Sequence, residues 1–123
     1  IKMPHFIVEY SNNLSEEALN IPVLLETLID TAVETELFPI AGFRARAYRA
    51  DHQRVGHGDA ANAFVHVAMN IGQGRSEHDR QKAGETIFEA LKDHMVLLLK
   101  THKIALSFEM REIEPVKFNF KNT

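Results

Sequence analysis

The sequence predicts an α+β chain: two consecutive βαβ units whose four strands form one mixed sheet with two helices on one face. Three observations predict it. Apolar and polar residues alternate at PHFIVEY, GFRARAYRA, NAFVHVAMNI and KIALSFEMREI, which is the period of half-buried strands. NIPVLLETLIDTAVETEL and the stretch from Ser76 to about Thr101 instead repeat apolar residues every three or four positions, the helical period. The six segments run strand–helix–strand twice, and each βαβ unit calls for parallel strands joined by a right-handed crossover. The repeat is one of pattern, within a single domain over 1–123 whose halves fall at about 4–58 and 59–123.

The first strand opens at Pro4, one of the few strand positions where a missing N–H is tolerated. Phe6, Val8 and Tyr10 alternate there with Ile7 and Glu9. SNNLSEE reads as a polar loop or a short turn of helix. Asn20 suits the N-cap of the first helix and Pro22 its first turn. Leu24, Leu25, Leu28, Ile29, Ala32 and Val33 supply its apolar stripe, and FPIAG ends it.

The second strand turns Phe43, Ala45 and Ala47 one way and Arg44, Arg46 and Tyr48 the other. DHQRVGHGDA is a polar, Gly-containing loop before the third strand. After the turn GQGRS, Ser76 and Asp79 form an approximate capping box for the second helix. Phe88, Leu91, Met95, Leu98 and Leu99 keep helical spacing along it. Ile104, Leu106, Phe108 and Met110 share one face of the last strand, and EPVKFNFKNT adds an edge strand or arm.

A chain of 123 residues can bury a core without staples. It has no cysteine, which excludes disulfides and thiol catalysis and fits a reducing compartment. Fourteen basic residues stand against 17 acidic ones, a formal charge of -3. That balance offers no footprint for nucleic acid and no polybasic membrane surface. The longest apolar run, MVLLL, is too short to span a bilayer. No apolar signal region follows Lys2. The expectation is a soluble, cytoplasmic domain.

Four features could carry chemistry. The first is Met3-Pro4. If the residues before it are removed, Pro4 carries a secondary amine. A terminal amine titrates near 7.7–8.0 in model peptides, below lysine. Burial or nearby arginines lower it further, giving a base that is neutral near physiological pH. Otherwise Pro4 merely starts a strand.

The second is FRAR, whose Arg44 and Arg46 share a strand face and suit bidentate carboxylate binding, or else form a solvated or inter-subunit ion-paired face. The third is GQGRS, an incomplete dinucleotide fingerprint because Glu77 replaces its last glycine. What remains is a turn into a helix N-terminus, where Arg75 could hold an anion. The fourth is the histidines. His52, His57 and Asp59 share a loop, but their spacing fits no standard metal set, and His66 reads as a half-buried strand residue.

MPHFIVEYSNN, FPIAGFRARAYRAD, NAFVHVAMNIGQGRS with its following RQKAGETIFEALK, and ALSFEMREIEP occur in this order over nearly the whole chain. Together they resemble the 5-carboxymethyl-2-hydroxymuconate isomerases of the tautomerase superfamily, which also holds 4-oxalocrotonate tautomerase and macrophage migration inhibitory factor. The resemblance implies two βαβ units per chain, a homotrimer, and no metal or organic cofactor. It implies an isomerase acting on a dicarboxylate enol from homoprotocatechuate catabolism. The proton carrier falls on Pro4, substrate-binding arginines on Arg44 and Arg75, and Arg46 is a helper beside Arg44. Ile1-Lys2-Met3 is then an expression leftover plus the initiator methionine, because an internal Pro4 has an amide nitrogen with no basic lone pair. A promiscuous tautomerase of another enol acid, or a non-enzymatic binding module, are the alternatives.

The helices cover one sheet face, so the other needs a cover, and a further copy of the chain is the available one. Phe6, Phe64 and Phe108 fall in three strands and are expected to make their shared face strongly apolar. A cyclic trimer would set the Pro4 end of one chain near the arginines of the next.

Overall fold

The structure is a computed structural model that describes residues 4–122, so the expectation for residues 1–3 lies outside the described residues. The elements in chain order are β1 (His5–Tyr10), α1 (Glu16–Leu19), α2 (Ile21–Glu34), a 3-10 turn (Ile40–Gly42), β2 (Arg44–Arg49), β3 (Asn62–Ile71), α3 (Glu77–His94), α4 (Val96–Thr101) and β4 (Lys103–Glu112). The sheet order is β2-β1-β3-β4. Strands β1 and β2 pair parallel, as do β3 and β4, while β1 and β3 pair antiparallel. The expected mixed sheet of two βαβ units is therefore present.

The helix starts follow local chemistry. The Ser15 hydroxyl accepts from the Ala18 N–H, and the Ser76 hydroxyl from the Asp79 N–H. Asn20 makes no side-chain cap to α2. It ends α1 and opens α2 at once, in a left-handed conformation (φ 47) that asparagine tolerates. The expected long second helix breaks at Met95, whose N–H is shared between the carbonyls of Leu91 and Lys92 at 3.1 Å each. The chain then restarts as the separate turn α4 while Met95 itself stays buried.

On the helix-facing side, Phe6, Val8, Val65, Val67 and Met69 are fully buried. Leu24, Leu28 and Ala32 of α2, with Ala83, Ile87 and Leu91 of α3, complete the core at four-residue spacing. Phe43 stacks on Phe6 with ring centres 5.6 Å apart, so the alternation read in GFRARAYRA holds.

One expectation fails. Phe6 pairs in register with Met69, and Phe108 with Val67, which sets both on the helix side. Phe64 pairs with Ala105 and sits one residue out of phase, on the opposite face. The three phenylalanines do not share a face.

The uncovered face is charged rather than strongly apolar. Its register rows run Arg44–His5–Asn70–Arg111, then Arg46–Ile7–Ala68–Glu109, then Tyr48–Glu9–His66–Ser107. Past β4 the chain forms no further strand among the described residues, and Val116, Phe118 and Phe120 stand exposed as an arm.

Candidate active site

Pro4 is buried at the head of β1, and its carbonyl accepts the Arg44 N–H at 3.1 Å. This ladder bond ties the proline to the strand that carries Arg44 and Arg46. Arg44 is exposed on the uncovered face, directly across from His5. Arg46 is half-buried two residues on, and its guanidinium donates to His5 Nδ1 at 3.1 Å. A guanidinium can only donate, so Nδ1 accepts and the His5 ring is neutral. Burial lowers the His5 pKa below 6.5, and the charges of Arg46, Arg44 and Lys117 push it the same way.

Arg75 reaches the same end of the molecule by another route. Its Nε and one terminal nitrogen donate to the Leu37 carbonyl at 3.1 and 2.8 Å, and the other nitrogen donates to Gly72 at 3.1 Å. The guanidinium lies 4.5 Å over the Phe38 ring, Phe38 meets Phe43 edge-on at 6.1 Å, and Phe43 stacks on Phe6. An unbroken stack thus joins Arg75 to the start of β1. Burial lowers the Arg75 pKa from the ordinary arginine value.

Three of its five N–H groups are committed to main-chain carbonyls, which leaves two for a ligand. Arg75 therefore ties the end of α2 to the turn before α3, whatever else it binds.

His52 and His57 stand exposed in their loop. His66 is half-buried as expected. Its Nδ1 lies 2.6 Å from Ser107 Oγ and its Nε2 3.0 Å from Glu109 Oε1. Arg111 also donates to Glu109, at 3.0 and 2.8 Å. The bonds from Arg111 and His66 hold the Glu109 carboxyl below its usual pKa.

Three residues near Pro4 escaped the reading of the sequence: His5, Arg111 and Lys117. They join Arg46 around an open cleft of about 340 Å³. The alternation of KIALSFEMREI could have placed Arg111 on the uncovered face, since it is out of phase with Met110. Nothing local marks Lys117.

The chain matches the 5-carboxymethyl-2-hydroxymuconate isomerase family over residues 4–123. It is 44% identical to a 5-carboxymethyl-2-hydroxymuconate Delta-isomerase of Escherichia coli over 119 residues, 97% of this chain and 93% of the relative. The crystal structure of a 5-carboxymethyl-2-hydroxymuconate isomerase from Deinococcus radiodurans R1 superposes with a TM-score of 0.90 at 35% identity, covering 99% of this chain and 91% of that one. A fused 4-OT wild-type symmetric trimer shares the fold, with a TM-score of 0.64 at 21% identity over 96% of this chain and 92% of that one. The motif order, the mixed four-stranded sheet and these likenesses agree: the chain belongs to the 5-carboxymethyl-2-hydroxymuconate isomerase family.

Proposed function

We propose that this chain, with Pro4 as its amino-terminal residue, is a cofactor-independent isomerase. It converts 5-carboxymethyl-2-hydroxymuconate to its unsaturated 2-oxo isomer, in the cytoplasm, as a step of homoprotocatechuate catabolism. The observation that carries the reading is the 44% identity to the Escherichia coli isomerase along 97% of the chain. The family match that begins at residue 4 adds to it. The substrate so named has three carboxylates, two from muconate and one from the carboxymethyl branch. That is one more than the dicarboxylate expected from the sequence.

In the mechanism, the neutral Pro4 amine takes the proton of the 2-hydroxyl. The electron pair of that O–H bond forms the 2-oxo group. The C2=C3 and C4=C5 double bonds become one C3=C4 bond, and the proton is delivered to C5. No covalent intermediate forms, and atoms and charge balance. Burial of Pro4 disfavours the cation of its amine, which favours the neutral base. Arg44 holds a carboxylate and stabilises the charge developing on the 2-oxygen, with Arg75 contributing its two remaining donors.

Assembly belongs to the same reading. A homotrimer closing over the uncovered face would bury Ile7 and Phe64, pair the charges of that face, and set Pro4 of one copy near arginines of the next. Light scattering of active protein should give a trimer, and dilution that dissociates it should abolish turnover.

The deciding experiment compares the chain starting at Pro4 with the chain starting at Ile1, both folded and both checked by mass spectrometry. The ultraviolet change of the dienol reports the rate. The Pro4 form should be active and the Ile1 form, whose Pro4 nitrogen is an amide, should not. Equal rates would remove the proline from the mechanism.

A further inference from the structure

We propose that Phe38 is a positioning residue: its ring, anchored to the head of β1 through Phe43 and Phe6, fixes the plane in which Arg75 presents its two remaining N–H groups to a substrate carboxylate. The identity of the ligand rests on the isomerase reading; the clamp on Arg75 rests on the geometry.

One dipeptide builds most of the clamp. The Leu37 carbonyl accepts from Nε and one terminal nitrogen of Arg75, at 3.1 and 2.8 Å, and so holds one edge of the guanidinium. The Phe38 ring covers its face, with Cζ 4.5 Å from the ring centre. The Gly72 carbonyl takes one N–H of the other terminal nitrogen. One N–H is then left on each terminal nitrogen. A carboxylate that accepts from both lies in the guanidinium plane, so whatever fixes that plane also fixes the carboxylate. The main-chain bonds run along the edges of the guanidinium and tolerate a tilt of its plane. The ring face opposes that tilt.

Local chain chemistry sets the dipeptide in place. Glu36, just past α2, has φ 66, a left-handed conformation that is costly for a residue other than glycine and persists only where its surroundings hold it. Pro39 follows the dipeptide and steers Phe38 away from the helical region.

The other side of the ring is tied to the strand of Pro4. Phe38 is 4% exposed and meets Phe43 edge-on at 6.1 Å, while Phe43 lies parallel to Phe6 at 5.6 Å. Phe6 is two residues from Pro4, and strand alternation turns both toward the helices. The His5–Arg44 pair, with the Arg44 N–H bonded to the Pro4 carbonyl, sets Phe43 beside Pro4 across β1 and β2. Pro4, Arg75 and the rings between them therefore share the covered side of the sheet, away from the face that the proposed trimer closes over. A close-packed interior transmits displacement, so a shift of the Phe38 ring moves Arg75 relative to Pro4.

The test uses the full chain starting at Pro4, with Phe38 replaced by 4-fluoro-, 3,5-difluoro- and 3,4,5-trifluorophenylalanine. Fluorine withdraws the negative charge of the ring face at nearly constant shape, so the cation loses its attraction while the core keeps its packing. The kcat/KM should fall stepwise along the series, by about 3- to 30-fold for the trifluoro ring. KM should rise within that loss, whereas a merely structural defect lowers the active fraction, and with it kcat, at unchanged KM. In an Arg75→Gln background the same replacements should change kcat/KM by less than about twofold. If Arg75→Gln fails to fold, the KM of the single replacements decides.

Turnover that ignores fluorination, a loss in kcat alone, or equal losses with and without Arg75 would each overturn the positioning role and leave the isomerase reading standing. If the parent protein shows no turnover, calorimetric titration with glutarate, a stable dicarboxylate, takes the place of kinetics. Glutarate affinity that falls along the fluorine series would then support the role of Phe38 and overturn the isomerase reading. Glutarate affinity that does not fall, or no glutarate binding, would overturn both.

Discussion

The two faces of one sheet differ more than the two βαβ halves do. Toward the helices, β1 and β3 present Phe6, Val8, Val65, Val67 and Met69, all fully buried. The intervening residues of the same strands, with those of β2 and β4, present Arg44, Arg46, His5, His66, Glu109 and Arg111 to the other side. Side chains alternate along a strand, so every second residue answers to a different constraint. Volume and apolarity rule the covered face, while charge and hydrogen bonding rule the other. The Pro4 end of the sheet is where the two meet. There a buried aromatic stack runs beneath a row of cations.

The sharpest way to break this comparison is at that meeting point. General acid–base catalysis contributes about 10²–10⁴-fold, so blocking the Pro4 amine with preceding residues should reduce kcat/KM by about that factor. Urea unfolding of the same two proteins should show nearly equal stability, because the change touches chemistry and not packing.

Phe6→Ala tests the covered face. It removes a fully buried ring and its stack on Phe43, and should cost about 3–5 kcal/mol in denaturant unfolding. A loss below about 1 kcal/mol would show that the core does not depend on this ring.

Arg75→Ala should cost about 2–3 kcal/mol as well as turnover. It strands the carbonyls of Leu37 and Gly72 and removes the cation from the Phe38 ring. Arg44→Ala should lower turnover with a smaller loss of stability. If Arg75→Ala leaves thermal unfolding unchanged, its main-chain bonds carry no weight.

The smallest expected effect is a pH dependence from the charged face. The folded pKa of His5 lies below 6.5, so folding favours its neutral form. Below pH 6.5 the unfolded chain takes up this proton first. The contribution of His5 is therefore present above pH 6.5 and lost as pH falls through its folded pKa. Glu109, also depressed, contributes above about pH 4.5 and is lost below it. Melting temperature should fall on acidification, and His5→Gln should flatten the slope just below pH 6.5. An unchanged slope in that variant would separate His5 from the effect.

Much of this was legible beforehand, for local reasons. Ser76 capped its helix through its own hydroxyl, and Phe43, Ala45 and Ala47 turned inward as their alternation required. Asn20 stands at the N-cap of α2 as its position required, but its side chain makes no cap bond, and a second helix ends on the same residue in a left-handed conformation, which composition does not reveal. The break at Met95 also lacks a Gly or Pro signal, since the apolar spacing runs on through it. Phe64 is as apolar as Phe6 and Phe108, but strand phase, which a list of residue types does not carry, turns it to the other face.

The sequence by itself determined the strand and helix periods, the parallel pairing inside each half, and the positions of Pro4, Arg44, Arg46 and Arg75. These follow from residue spacing, a local property. Only the tertiary structure decided that β1 and β3 run antiparallel side by side, which sets His5 opposite Asn70. Only it joined Arg111 and Lys117 to Arg46, across 65 and 71 residues of chain respectively. It also gave the Arg75 donors to Leu37 and Gly72. Register and long-range contacts depend on how whole faces pack, and a side chain's partners are settled only when the chain has closed around them.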